Sequence, residues 1–359
     1  MLTAAGHQAW FVGGCVRNAL LGSPVSDLDI TTDARPDRVR ALAKAAGFRA
    51  IPTGIDHGTI TVVADGHAFE ITTFRKDVET DGRHAVVAFA DTLEEDAARR
   101  DFTVNALYAD PTGAVRDPVG GLPDLDQRRF RFIGAPHDRI REDYLRILRF
   151  FRFFAWYGAE LDADGLAACA ELADGITTLS AERVTTELLK LLSAPDPLRA
   201  VAAMEQSGVL AQVLPGASAR MLGPYLHLDP ISEIDPIARL SSLNGDASSL
   251  RLSRAQSRAL NDYQTAMSSA DTPGVLGYRL GHDTGARALA LQAAALEQPY
   301  PEQALTQLKR GADATFPIRA ADLPKTFTGP AIGQALKRLE RAWIDANFEP
   351  TKAELLAQL

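Results

Sequence analysis

The sequence predicts an α+β fold over its first third and an all-helical remainder. Three observations carry that expectation. Asp65-Gly66 sits between two β-branched runs, "GTITVVA" and "HAFEITT", and Asp-Gly is the strongest short hairpin signal. Two more strand-like runs, "AWFVGG" and "LDITT", flank the short helical stretch "CVRNALLG". From about Asp138 onward apolar residues recur at helical spacing and no strand pattern returns.

The remaining elements follow in order. "PDRVRALAKAAGF" reads as a helix with Asp33 as N-cap and Gly47 as its stop. "REDYLRILRFFRFFAWYG" reads as one long helix ending at Gly158. "SAERVTTELLKLLSAPDP" starts on Ser180 as N-cap, carries Arg183 at its third helical position and stops before Pro195. Ala- and Leu-rich helices fill the rest. "SSLNGDASSLRLS", Ser241 to Ser253, is the most linker-like stretch, and Pro330 sits at a helix start.

Composition bounds the class. The 359 residues are 46% hydrophobic and 23% charged, enough apolar material for two or three domains, more if they are small helical ones. Two cysteines exclude a disulfide framework and point to a reducing, cytoplasmic setting. No signal peptide opens the chain, and no apolar run is long enough for a membrane span. The net charge of -8 argues against extended non-specific nucleic-acid binding and confines any such contact to a local basic surface.

Chemistry gathers first around "FVGGCVRNALLGSPVSDLDITT". Side chains alternate along a strand, so Asp27 and Asp29 are expected to point one way and Leu28 into the core. Neighbouring carboxylates repel unless a cation lies between them. A hard divalent ion such as Mg²⁺ suits such oxygen ligands and keeps substrate phosphates in its shell. Glu70, in "FEITTF", supplies a third carboxylate if its strand pairs alongside. Taken alone, Asp-x-Asp reads more readily as a solvated polar edge. The upstream Gly13-Gly14 turn and Arg17 change that balance. Glycines at a strand-to-helix turn let a phosphate approach the backbone. A cation in the first helical turn opposes the helix dipole, so Arg17 there implies an anion nearby.

Two later stretches are mixed in character. "RRDFTVNAL" places Arg100, Asp101 and Asn105 in a burying segment and reads either as a capped helix with surface arginines or as part of a site. In "EDYLRILRFFR", Asp143, Arg146, Arg149 and Arg152 recur every three residues. On one helix Asp143 and Arg146 are neighbours, while Arg152 has turned to the far side. This row reads either as an ion pair with surface arginines or as a nucleobase reader. A carboxylate only accepts and a guanidinium only donates. One Asp–Arg pair therefore suits cytosine and adenine, whose amine stands beside ring acceptors, and disfavours uracil and guanine.

With these residues in place, the sequence resembles the bacterial class II nucleotidyltransferases, the family of CCA-adding enzymes and poly(A) polymerases. The resemblance runs from Phe11 to about Pro195. It rests on GG-x-V-R, D-L-D, RRDFTVNAL, DPVGGLPDL and REDYLRILR followed by SAERVTTELLK, in that order. Asn18 departs from it, since the family commonly has Asp there. The resemblance implies a head with a five-stranded, polymerase-β-like nucleotidyltransferase palm, followed by all-α neck, body and tail domains. The expected divisions are 1–123 head, 124–195 neck, 196–270 body and 271–359 tail. It implies that Asp27 and Asp29 bind two Mg²⁺ ions, with Glu70 as third catalytic carboxylate. Gly14 and Arg17 would contact the triphosphate, Arg100 would sit in the nucleotide site, and Asp101 and Asn105 would lie near the ribose. Asp143 and Arg146 would read the base, supported by Arg149 and Arg152, while Glu182 and Arg183 would pin the neck helices. The implied reaction is attack by a tRNA 3′-OH on the α-phosphate of CTP or ATP, breaking the α–β phosphoanhydride bond and releasing pyrophosphate, with no membrane or protein partner.

Within the family, "TGIDHGTITVV" resembles the CCA-adding branch. The poly(A) branch tends to an Arg/Lys-rich stretch there. "TTFRKDVETDGRHAVVAF", Thr72 to Phe89 and including Arg83, resembles the flexible loop of full CCA-adding members, which CC-only members lack. Complete CCA addition is therefore expected; the rivals are a poly(A) polymerase, a CC-only enzyme and a non-catalytic RNA-binding relative. "TGPAIGQALKRLERAWI" resembles a tail element, in which Lys337, Arg338 and Arg341 either contact tRNA phosphates or form a solvated helical face. The chain begins almost at its first strand, so a helix that precedes that strand in the family is expected to be absent from it.

Overall fold

The computed structural model describes residues 1–25, 27–81 and 84–359, with backbone alone at residue 56 and at residues 77–81 and 84–87. The chain divides into two compact units, Met1–Val213 and Leu214–Leu359.

The first unit opens with β1 (Ala9–Val12), α1 (Gly14–Leu20), β2 (Asp29–Thr32), α2 (Pro36–Ala45), β3 (Arg49–Gly54), β4 (Thr59–Ala64) and β5 (His67–Thr73). The Asp65-Gly66 hairpin forms as expected, with Ala64 opposite His67 and both turn residues at positive φ. β5 then pairs in parallel with β2, which sets Asp29 opposite Glu70. The alternating Ile60 and Val62 of β4 pack with Ile71 against Val39 and Ala43 of α2. Gly47 ends the α2 region at φ 78° as expected, but Asp33 does not cap α2. Its carboxylate instead accepts from the backbone N–H of Gln8 at 2.9 Å and meets the His7 ring at 3.1 Å.

A separate two-stranded ladder follows, β6 (Arg75–Asp81) with β7 (His84–Phe89), then α3 (Leu93–Ala98). Arg83 lies outside the described residues. Short strands β8 (Tyr108–Ala109) and β9 (Val115–Arg116) complete a seven-stranded sheet of order β3-β4-β5-β2-β1-β8-β9. The expected five-stranded palm is thus β1 to β5, extended at the β1 edge by two strands of two residues each.

Helices α4 (Gly121–Asp126), α5 (Pro136–Glu142), α6 (Leu145–Tyr157), α7 (Ala163–Glu171), α8 (Ala181–Leu192), α9 (Leu198–Gln206) and α10 (Val209–Val213) finish this unit. The expected continuous helix through Asp143 is broken. Asp143 is extended, at φ -157° and ψ 105°, and its Oδ1 accepts from the Leu145 N–H at 3.1 Å. A short Asp side chain competes with the helical ladder and starts a new helix instead. α8 begins after Ser180 and ends before Pro195 as expected, but the Ser180 side chain makes no capping bond. α6 buries Phe150, Phe151, Phe153 and Phe154, and Phe153 stacks on Phe130 at 5.6 Å. An aromatic core on several faces of α6 carries its arginines inward with it.

The second unit is helical: α11 (Leu222–Leu228), α12 (Pro236–Ser242), α13 (Arg254–Ser268), α14 (Pro273–Leu280), α15 (His282–Ala295), α16 (Ala304–Asp313), α17 (Pro330–Asp345) and α18 (Lys352–Leu356). Pro330 opens α17 as expected. The stretch 241–253 is not a solvated linker. Ser241, Ser242, Leu243 and Leu250 are buried, and Ser253 forms a capping box with Gln256 that starts α13. No helix among the described residues is long and apolar enough to cross a membrane.

Candidate active site

The acidic group stands at the start of β2. The strand begins at Asp29, so Asp27 and Leu28 precede it. Leu28 does not enter the core as expected; it is 40% exposed, because alternation has not yet begun there. Asp27, Asp29 and Glu70 together line one cavity of about 740 Å³, with Thr61, His67 and Phe69. Partial desolvation pushes the Asp29 carboxyl up, and Glu70 and then Asp27 push it further, against the pull of Arg100. Mutual repulsion of this kind is relieved by a bound cation. The donor set is all carboxylate, which fits a hard divalent ion. Among the described residues no three Asp, Glu, His or Cys side chains form a metal cluster by themselves.

Beside it lies the glycine turn. Gly13 takes φ 76° and ψ -126°, and its N–H donates to the Leu107 carbonyl at 3.2 Å. Only glycine adopts this backbone readily. Arg17 is buried, only 5% exposed, and is not a solvated surface arginine. Because α1 has seven residues, Arg17 also falls in its last turn, so its placement does not oppose the helix dipole as expected. Its guanidinium donates to the Asn105 Oδ1 and to Asn18 Oδ1 at 2.8 Å. It lies over the rings of Tyr157 at 4.5 Å and Phe153 at 5.0 Å. Among the described residues no carboxylate comes within ion-pair distance of Arg17. Burial lowers its pKa, opposed mainly by Tyr157. A desolvated cation with neutral partners is costly unless an anion completes its shell.

"RRDFTVNAL" forms a short 3₁₀ turn, Thr103–Asn105, in place of a capped α-helix. Arg99 and Arg100 both bind the buried Asp96 at 2.9 Å. Asp101 holds the Asn105 amide at 3.0 Å and accepts from Arg149 Nε at 2.8 Å. The "DPVGGLPDL" segment braces this turn. Asp124 accepts from Thr103 Oγ1 at 2.6 Å, and a Cβ on Gly121 would stand 2.3 Å from the Thr103 carbonyl oxygen.

The neck row splits into two groups. Arg149 reaches Asp101 and Arg152 reaches Glu187 at 2.6 Å, and both guanidiniums flank the Phe153 ring that Arg17 also faces. Arg149 and Arg17 thus meet through Asp101 and Asn105. Asp143 and Arg146 are adjacent, but their side chains do not pair. The broken helix turns Asp143 toward Arg183, at 2.7 Å. Arg146 binds Glu142 and donates to the Arg139 carbonyl at 2.7 Å. Arg183 therefore contacts a candidate base reader as well as joining neck segments. Lys337, Arg338 and Arg341 are exposed on α17, in the second unit.

Sequence reasoning missed Asp96, Glu142, Glu187 and Tyr157. Asp96 carried a readable signal, since it precedes Arg99 and Arg100 by three and four residues, the spacing of helical ion pairs. Tyr157 carried none.

Burial alone would raise the Asp96 carboxyl, but Arg100 and Arg99 outweigh it and hold it at about 2. For Asp101, Arg149 and Asn105 likewise outweigh burial and hold it at about 2. Folded values below the unfolded ones give stability that is present above about pH 4 and lost as pH falls toward 2. The thermal midpoint is thus expected to be level between pH 7 and 5 and to fall steadily below about pH 4. A midpoint unchanged at pH 3 contradicts these pairs.

Residues 9–131 match the family described as Poly A polymerase head domain, and residues 158–221 match the Probable RNA and SrmB- binding site of polymerase A. A CCA-adding enzyme of Streptococcus gordonii is 34% identical over 97% of this chain and 92% of its own length. One of Geobacillus thermodenitrificans is 41% identical over 61% of this chain and 54% of its own. The structure of the Bacillus stearothermophilus CCA-adding enzyme in complex with CTP superposes with a TM-score of 0.79 at 30% identity, covering 99% of this chain and 93% of that one. The Thermotoga maritima CCA-adding enzyme complexed with tRNA_CCA shares the fold, with a TM-score of 0.73 at 18% identity over 99% of this chain and 91% of that one.

Proposed function

The chain belongs to the CCA-adding enzymes of the poly(A) polymerase family, and from that premise we propose that it adds C, C and A to the 3′ end of tRNA from CTP and ATP. Nucleotidyltransferases of this family generally use divalent metals, and we take the ions here to be two Mg²⁺. Asp27 and Asp29 would hold them, with Glu70 closing the acidic edge. When bound, the two ions neutralise phosphate charge and activate the attacking hydroxyl. With so few protein ligands, substrate phosphates and water would complete their shells.

The strongest support is the pairing of an under-neutralised buried arginine with an acidic cavity across one glycine turn. Arg17 has only neutral partners, while Asp29 is pushed up by Glu70 and Asp27. A triphosphate suits both sides of such a site. Gly14 and Arg17 bind it, and Arg100 adds a second cation. Asp101 and Asn105 orient the ribose and are themselves held by Arg149, with Arg152 beside it. Asp143 accepts the exocyclic amine of cytosine or adenine, and Arg146 donates to the ring acceptors. Arg183 does not exhaust Asp143, since a carboxylate offers about four lone-pair sites. Chemistry then depends on positioning and charge more than on a protein base.

On this reading the head (1–123) and neck (124–195) fall within the first unit and the tail (271–359) within the second, with the body at 196–270. Two free, buried cysteines suit a cytoplasmic setting. The test is extension of a tRNA transcript lacking its CCA end, with Mg²⁺ and CTP, ATP or both. Growth by three nucleotides only when both are present is expected. Two additions from CTP with no use of ATP would make it a CC-only enzyme. A long ladder from ATP alone would make it a poly(A) polymerase, and no extension at all would leave an RNA-binding protein.

A further inference from the structure

Asp96 lies on α3, outside the motifs assigned to nucleotide contact, and its side chain is wholly buried. Both its oxygens are heavily used. Oδ1 accepts from Arg99 Nε at 3.0 Å and from the Arg75 backbone N–H at 3.3 Å. Oδ2 accepts from Arg100 Nη2 and from the Tyr108 hydroxyl, each at 2.9 Å. Arg100 Nε adds bonds to Asp96 at 3.3 Å and to the Tyr108 oxygen at 3.1 Å.

Two consequences follow from this geometry. Nε and Nη2 of Arg100 are locked on one side, and among the described residues no acceptor engages Nη1. That nitrogen lies 3.7 Å from where a Cβ on Gly13 would stand, at the glycine turn. Two guanidiniums also share one carboxylate, so the triad keeps a positive charge.

We infer that Asp96 is a positioning residue for the triphosphate, clamping Arg100 from behind so that Nη1 faces the phosphates at the Gly13-Gly14 turn. The inference rests on the nucleotide reading of this site. In Asp96→Asn the amide nitrogen meets a guanidinium donor, and Arg100 loses its fixed aim.

The intact chain is titrated with ATP and with AMP in Mg²⁺ by equilibrium dialysis. The ratio of the two affinities does not depend on how much of the protein is folded. In Asp96→Asn the ATP-over-AMP ratio is expected to fall about tenfold. In an Arg100→Ala background the same substitution is expected to leave the ratio unchanged, because its effect runs through Arg100. A ratio preserved in Asp96→Asn, or a full further loss in the Arg100→Ala background, overturns the inference. Should Asp96→Asn not fold, Tyr108→Phe is expected to lower the ratio about two- to threefold by loosening the same clamp; an unaltered ratio there overturns it too. A wild-type protein that binds ATP and AMP alike overturns the nucleotide reading itself, and this inference with it.

Discussion

Asp29→Ala is expected to lower single-turnover nucleotide addition by about 10³-fold or more, while tRNA binding by filter retention changes by no more than about threefold. The physical reason is the register of β2 with β5. Asp29 faces Glu70 across a parallel ladder and lines the same cavity as Asp27. Removing it takes away the central member of the acidic group and one of the two carboxylates proposed to hold the metal. The site is solvent-open and Asp29 packs against no core, so the fold has little to lose. Addition retained within tenfold of wild type would mean that the ion is held elsewhere.

Asp143→Ala is expected to change choice more than rate. The carboxylate is the acceptor proposed for the amine of cytosine and adenine. Losing it should cut the preference for CTP over UTP by about 10- to 100-fold, the range of one good base contact. The check is the ratio of kcat/KM values for CTP and UTP on one tRNA substrate. If that ratio is unchanged, Asp143 serves only the Arg183 pair and the α5–α6 break, and base reading lies with other groups.

The sequence made local devices legible and left distant partnerships hidden. The Asp65-Gly66 turn fixed the β4–β5 hairpin, and placing Glu70 on its second strand foresaw the meeting with Asp29. Gly13 and Pro330 also behave as their local chemistry dictates. The reading failed where short- and long-range demands compete. Asp143 looked like one more polar residue on a helix, yet its carboxylate caps Leu145 and breaks the helix there. That break sends Asp143 to Arg183 instead of Arg146. The burial of Arg17 was not legible, because its cover, Phe153 and Tyr157, comes from about 140 residues later in the chain. Periodicity along a segment carries no record of such partners.

The long sequence separations in the arginine network have a consequence for synthesis. Asp101 is held by a residue 48 positions later, and Arg152 by one 35 positions later still, at Glu187. A nascent chain that has emerged only through the sheet carries every acidic ligand and the glycine turn, but neither Arg149 nor the aromatic cover of Arg17. On the proposed reading, vectorial emergence from the ribosome thus delivers the acidic edge first and the arginine and aromatic contacts around Asp101 and Arg17 last. A head that has emerged without α6 and α8 holds the glycine turn and Arg100, but Asp101 still lacks Arg149 and Arg17 still lacks its aromatic cover.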